Sequence, residues 1–342
     1  MRVLFVSDYP HLPDIRGGLQ TTTHDLCLAI GMAGAEAAVL CGLDEHGGAG
    51  PAEAPRSDES LGYLCMRAAS PERLLPLVAA AWNASAIVVQ SGTSLLPLVL
   101  ASLKSGRPTA VYLHNVEVHQ LRGTLVPSAS LLYLANSSFT AERWRALCGI
   151  HCEVVLPVVR ADGYLGASGG SKVLFVNPTP IKGVELMFAL AAHCPDIPFL
   201  VVESWNLEPN WRQLCLHRAQ KLGNVEWMGP TDDMRAVFSR SRLLLMPSVW
   251  EESFGRTVVE AQLNGLPVLA SGRGALPVNV GAGGLTLDPH EPVQAWALAL
   301  RRLLAEHAAF SEAARRNALG HVAATPLIVG RLLGLLAQHC AG

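Results

Sequence analysis

Short apolar runs, each followed by a stretch of helical period, alternate along this chain from one end to the other. In the first half the pattern predicts strands over 2–7, 37–41, 86–90, 109–114, 131–135 and 153–156. Helices are expected over 19–33, 71–82, 94–104 and 140–148, and residues 44–60, rich in Gly, Pro, Asp and Glu, read as a loop. Pro157 and a cluster of Gly and Ser up to Ser171 then break the rhythm and read as an interdomain linker. A second alternation starts at Lys172. It predicts strands over 173–176, 199–202, 225–228, 243–246, 268–270 and 285–287, with helices between them. Three closing helices follow over 293–306, 310–319 and 327–338.

Strand–helix alternation run twice predicts an α/β protein of two Rossmann-like, doubly wound domains with parallel sheets. The boundaries expected are 1–157 and 158–324, with the closing helix within 325–342 packing back on the first domain. Such sheets bind ligands at the carboxyl ends of their strands. Two of them on one short linker would face each other across a cleft, one substrate to each side.

Composition narrows the function. Half of the 342 residues are apolar and 16% are charged, which suits parallel sheets buried on both faces. The formal charge of −2 gives no basic surplus for a nucleic-acid footprint and leaves only a local patch for peripheral membrane contact. The apolar start MRVLFVSDYP is too short for a signal peptide, and no run reaches the roughly 18 apolar residues of a membrane span, so a cytoplasmic protein is expected. The eight cysteines are scattered, match no zinc spacing, and read as buried free thiols.

The densest candidate chemistry lies between Leu243 and Gly283. A strand ends at Pro247-Ser248, two acids follow at Glu251 and Glu252, and a helix opening near Phe254-Gly255 carries Glu260. Carboxylates at such a helix start read either as dipole-matched acids or as acceptors for sugar hydroxyls. The amides of that start favour an anion such as a phosphate. The segment FVNPTPIKG places Lys182 and Gly183 between a strand and a helix, where the lysine is either solvated or a point charge for a diphosphate. Gly17-Gly18 precedes a helix without the G-x-G-x-x-G dinucleotide fingerprint. His114 ends a strand, as a core histidine or a site residue, and His119 beside it makes no metal motif. Asp232-Asp233 reads as a helix N-cap.

PSVWEESFGRTVVEAQLNGLPVLAS resembles the signature of the retaining glycosyltransferases of family 4 (glycosyl transferases group 1), which have the GT-B fold. The match is Pro-Ser, an acid before x-Phe-Gly, seven residues between Glu252 and Glu260, then Gly-Leu-Pro-Val. Gly17-Gly18, the strand ending at His114, NSSFT at 136–140 and Lys182-Gly183 add looser likeness. The resemblance implies a metal-independent, retaining transfer of a sugar from a nucleotide-diphosphate sugar, UDP-linked by family frequency, with no cofactor. The acceptor stays open: a saccharide, a lipid-linked group or a small-molecule hydroxyl. By the same resemblance Glu260 holds the ribose and Glu252 the transferred sugar, with the amides of Ser253, Phe254 and Gly255 nearby. Lys182 binds the diphosphate, Gly18 with Gly17 closes over phosphates or acceptor, and His114 lies beside the donor sugar.

Three positions depart from the pattern. Asn177, in the donor-binding set by its place, stands where the family places a phosphate-gripping arginine, and Arg256 and Arg273 are the cations that could compensate. Pro277-Val278 replaces Pro-Glu, and Glu203-Ser204-Trp205 lacks the usual glycines, which brings Trp205 into play over the base or in packing. An epimerase of the same fold and a non-catalytic nucleotide-sugar-binding protein are the alternatives.

Overall fold

A computed structural model of the chain describes residues 1–43, 54–167, 169–203 and 207–341. Trp205 and the first part of the 44–60 loop lie outside them. The elements run, in order, β1 (Arg2–Val6), α1 (Gly18–Met32), β2 (Glu36–Gly42), β3 (Arg56–Asp58), β4 (Leu64–Ala68), α2 (Pro71–Ala81), β5 (Ala86–Gln90), α3 (Leu95–Lys104), β6 (Thr109–Leu113), β7 (Leu131–Ala135), α4 (Ser138–Cys148) and β8 (Glu153–Val154). They continue with β9 (Lys172–Val176), α5 (Val184–His193), β10 (Phe199–Val202), α6 (Pro209–Leu222), β11 (Val225–Met228), α7 (Met234–Arg240), β12 (Ser241–Met246), α8 (Arg256–Leu263), β13 (Val268–Ser271), α9 (Leu276–Val280), β14 (Gly284–Leu287), α10 (Val293–Ala305), α11 (His307–Ala323) and α12 (Thr325–Ala341). Two compact units result, Met1–Val158 with Ala324–Gly342, and Val159–Ala323.

The first unit is built on an eight-stranded sheet of order β3-β4-β2-β1-β5-β6-β7-β8. Successive residues of a strand face opposite sides, and β1 shows it. Leu4 and Val6 join Leu75, Leu98 and Trp144 on one face, while Val3 and Phe5 join Leu26 and Ile30 on the other. That second face also takes Ile328, Val329, Leu332 and Leu336 of α12. Trp144, fully buried, donates its Nε1 to the Asn115 carbonyl at 2.8 Å, so its polar atom is satisfied. Two strands were not foreseen. β4 pairs parallel with β2, and β3 runs antiparallel to β4, so this sheet is not wholly parallel. β3 is three residues of Arg-Ser-Asp with no apolar position, and hydrophobic pattern carries no trace of it.

The second unit has a six-stranded parallel sheet, β11-β10-β9-β12-β13-β14. α5, α6 and α10 cover one face through Met187, Leu190, Cys215, Trp296 and Leu300. α7, α8 and α9 cover the other through Phe238, Val258, Ala261 and Leu276. Strand order reverses between β9 and β12, so the loops after these two strands flank the unit's topological switch point.

The segment read as a linker is packed into this unit from Val159 onward. The Gly166 amide donates to Asn264 Oδ1 at 2.8 Å. A Cβ at Gly166 or Gly170 would stand 2.7 Å and 2.0 Å from the backbone of Arg235 and Arg240. Close approach, not flexibility, is what these glycines serve. Asp233 caps α7 as expected, accepting from the Arg235 and Ala236 amides. All eight cysteines are free thiols, and Cys148 and Cys340 are the two that are not buried.

The expectation about membrane-length segments needs correction. The helical stretch His307–Ala341 contains an 18-residue window of mean hydropathy 1.6, enough by length and composition to cross a membrane. Ile328, Val329, Leu332 and Leu336 of that stretch are core residues of the first unit, while 22% of the window as a whole is buried.

Candidate functional site

The switch point of the second unit gathers the residues singled out between Leu243 and Gly283. Ile181, in the loop after β9, accepts the Val249 and Trp250 amides at 3.1 and 3.2 Å, which stitches that loop to the one after β12. Gly183 makes the approach possible: its φ is +81°, and a Cβ would lie 2.1 Å from the Pro247 carbonyl oxygen. The stitch brings Lys182 to Glu252. Lys182 Nζ donates to Glu252 Oε1 at 2.5 Å, and Ser248 Oγ donates to the same oxygen at 2.7 Å. Both carboxylate partners use Oε1, so Oε2 has no protein partner among the described residues. Glu252 is 8% exposed and Ser248 fully buried, so the pair is largely dry.

Glu260 is the fifth residue of α8, 6% exposed. Arg256, one helical turn earlier, donates Nε to Glu260 Oε1 at 2.7 Å. The same guanidinium donates to Tyr164 Oη at 3.2 Å and lies 5.4 Å from the centre of that ring. Asn264 ties the Tyr164 carbonyl to the Glu260 carbonyl through its Nδ2, at 3.0 and 2.9 Å. The former linker thus buttresses the helix that carries Glu260.

α8 starts at Gly255, in the left-handed region with φ +78°, without a side-chain cap or an acid in its first turn. A Cβ on Gly255 would meet Leu276 Cδ2 at 2.6 Å. The positive end of the helix is therefore uncompensated by its own residues. Ser253 is partly exposed, whereas the Phe254 side chain is buried with its ring 5.6 Å from that of His321. Only the amide of Phe254 remains for the role expected of it.

Asn177 also adopts the left-handed conformation, φ +67°, is 4% exposed, and leaves its Oδ1 buried without a hydrogen bond. Thr179 Oγ1, Ser271 Oγ and Arg273 Nε share that state. All four follow or end β9 and β13, the strands on either side of β12. At the end of β10, Glu203 is buried and engaged by Arg212 Nε at 2.8 Å and by Trp227 Nε1.

In the first unit, His114 ends β6 and Gly17-Gly18 open α1. A Cβ on Gly18 would stand in open space and one on Gly17 would touch only the end of Gln20, so the packing of the unit requires neither glycine. Gln90 joins α1 to His114: its Nε2 donates to Thr23 Oγ1 at 2.8 Å and faces His114 Nε2 at 3.3 Å. With the amide as donor, His114 Nε2 accepts and the ring proton sits on Nδ1. The ring lies 4.0 Å from that of Tyr112, tilted by 50°, and desolvation pushes its pKa down to about 3. His114 is expected to stay neutral down to pH 5. NMR of its ring protons should show no titration between pH 7.5 and 5, against a midpoint near 6.5 for a solvated histidine.

Sequence reading missed Ser248 and Arg256 as partners of the two glutamates, and Tyr164 as a partner of Arg256. The Arg256–Glu260 spacing of four on one helix was a usable signal. Tyr164, 92 positions before its partner, was not. Among the described residues no group of three or more His, Cys, Asp or Glu could hold a metal ion.

Comparison with known proteins agrees with the second unit's chemistry. The family description "Glycosyl transferases group 1" matches residues 173–306. The D-inositol 3-phosphate glycosyltransferase of Corynebacterium glutamicum is 39% identical over 208 residues, 56% of this chain and 46% of that protein. The chain thus matches under half the length of such relatives. Among solved structures, a glycosyltransferase from Rickettsia africae superposes with a TM-score of 0.77 at 15% identity, covering 99% of this chain and 98% of that one. Anabaena HepE, solved with UDP-glucose, gives 0.76 at 18% identity over 98% and 99%. At these identities the likeness carries the fold, the GT-B arrangement of two Rossmann-like units.

Proposed function

We propose that this protein is a retaining glycosyltransferase that moves a sugar from a nucleotide-diphosphate sugar, UDP-linked, to a hydroxyl acceptor without a metal ion. The observation that carries it is the dry Lys182–Glu252 pair at the switch point, one turn from an uncapped helix start and the buried Glu260. A diphosphate leaving group develops negative charge as its bond to the sugar breaks. Lys182 and the α8 amides supply the opposite charge, in surroundings that magnify it. As the anion arrives, Lys182 turns from Glu252 toward phosphate. Glu252 then offers both oxygens to hydroxyls of the transferred sugar, held in place by Ser248. Glu260, held by Arg256, accepts hydrogen bonds from the ribose. In the first unit, Gly18 with Gly17 is assigned to phosphates or acceptor, and neutral His114 to the donor sugar. Like HepE, whose solved complexes contain UDP and glucose, this protein would take a UDP-linked hexose.

Incubation with UDP-sugars, acceptor panels and excess EDTA, followed by NMR of the product's anomeric centre, tests the proposal. Transfer with the donor's anomeric configuration, undiminished by EDTA, is expected. Inverted product or loss of activity in EDTA contradicts it. A C-epimer of the donor formed without acceptor marks an epimerase, and tight binding without turnover a binding protein.

A further inference from the structure

On the donor-site reading above, we propose that Arg273 is the second cation for the donor's diphosphate. The other two cations of the site are committed within the protein: Lys182 lies 2.5 Å from Glu252 and Arg256 2.7 Å from Glu260. A diphosphate carries more negative charge than one shared lysine balances. Asn177, at the end of β9, contributes a neutral amide whose oxygen would repel it.

Arg273 has the position and the unspent hydrogen-bonding capacity. It follows β13, which pairs with β12, in a loop clamped on Glu252 itself. The Ala275 amide donates to the Glu252 carbonyl at 2.7 Å. Gly274 holds φ +64°, and a Cβ there would lie 2.1 Å from the same carbonyl oxygen. The backbone at Arg273 is thus fixed by its immediate neighbours beside the residue that already holds Lys182. Its Nε is buried and donates to nothing, and among the described residues the guanidinium makes no ion pair. A buried donor on a permanent cation is costly to leave unpaired, and an arriving phosphate supplies the partner. The planar guanidinium fork matches two phosphate oxygens at once, which a lysine cannot do.

The test compares wild type with Arg273→Gln and Arg273→Lys by calorimetry against UDP and by ligand-observed NMR against uridine, with GDP, ADP and dTDP run beside UDP. Arg273→Gln should weaken UDP binding roughly ten- to a hundredfold, the worth of one charge-assisted pair. Uridine binding and the ligand-free melting temperature should stay unchanged, and Arg273→Lys should recover part of the loss. UDP affinity within twofold of wild type in Arg273→Gln overturns the proposal and leaves the donor site standing. Equal losses for UDP and uridine with a lowered melting temperature overturn it in favour of a structural arginine. A wild type that binds none of the four diphosphates contradicts the donor-site reading and this assignment together.

Discussion

Glu260→Gln is expected to lower the stability of the second unit by about 3–5 kcal/mol, because it breaks the buried ion pair between Arg256 and Glu260 from one side. The two side chains are 7% and 8% exposed, and the guanidinium also donates to the Tyr164 hydroxyl. Arg256→Met alone breaks the same pair from the other side. The double variant removes both charges and should recover much of the loss, so the effects will be far from additive. Urea unfolding of the two single variants and the double variant checks this. Nucleotide affinity separates the carboxylate's two duties. It should stay lost in the double variant, where stability is restored but the ribose acceptor is still missing. Affinity that returns with stability would mean that Glu260 serves the helix alone.

Lys182→Ala should cost the most in turnover. It removes the cation facing the leaving group, and loss of one such stabilising group slows catalysis by roughly a hundred- to a thousandfold. It also strands Glu252, which is 8% exposed and would keep only Ser248. Glu252→Gln is the contrasting case. It releases Lys182 from its internal partner while keeping the shape of the side chain. Nucleotide affinity should hold or rise while kcat falls. Steady-state kinetics beside calorimetry will show Lys182→Ala losing both affinity and kcat, and Glu252→Gln losing kcat alone.

Sequence pattern reveals some of this site and hides the rest for identifiable reasons. Strands buried on both faces, such as Leu243–Leu245, announce themselves as apolar runs, and a helix start in FGRTVVEA is legible from its period. These suffice for the fold class and for placing Lys182 and Glu252 after strand ends and Glu260 on the helix that follows. Partnership is another matter. Lys182 and Glu252 are 70 positions apart and meet because β9 pairs with β12, a crossover that periodicity does not encode. The glycines near residue 170 look like a flexible linker in composition, yet Gly166 and Gly170 are there because backbone lies where a Cβ would go. The conformation of Asn177 is equally hidden. Its left-handed backbone and buried side chain follow from a turn that the Asn-Pro pair alone does not specify.

The central claim is that Lys182 and Glu260 hold a nucleotide-diphosphate at the carboxyl edge of the second sheet. Calorimetric titration of UDP, with GDP, ADP and dTDP alongside, into wild type, Lys182→Ala and the Arg256→Met/Glu260→Gln pair tests it most directly. Wild type should bind one of the four, and each variant should bind it at least roughly tenfold more weakly, a difference of about 1.4 kcal/mol. Unchanged affinity in both variants would contradict the site.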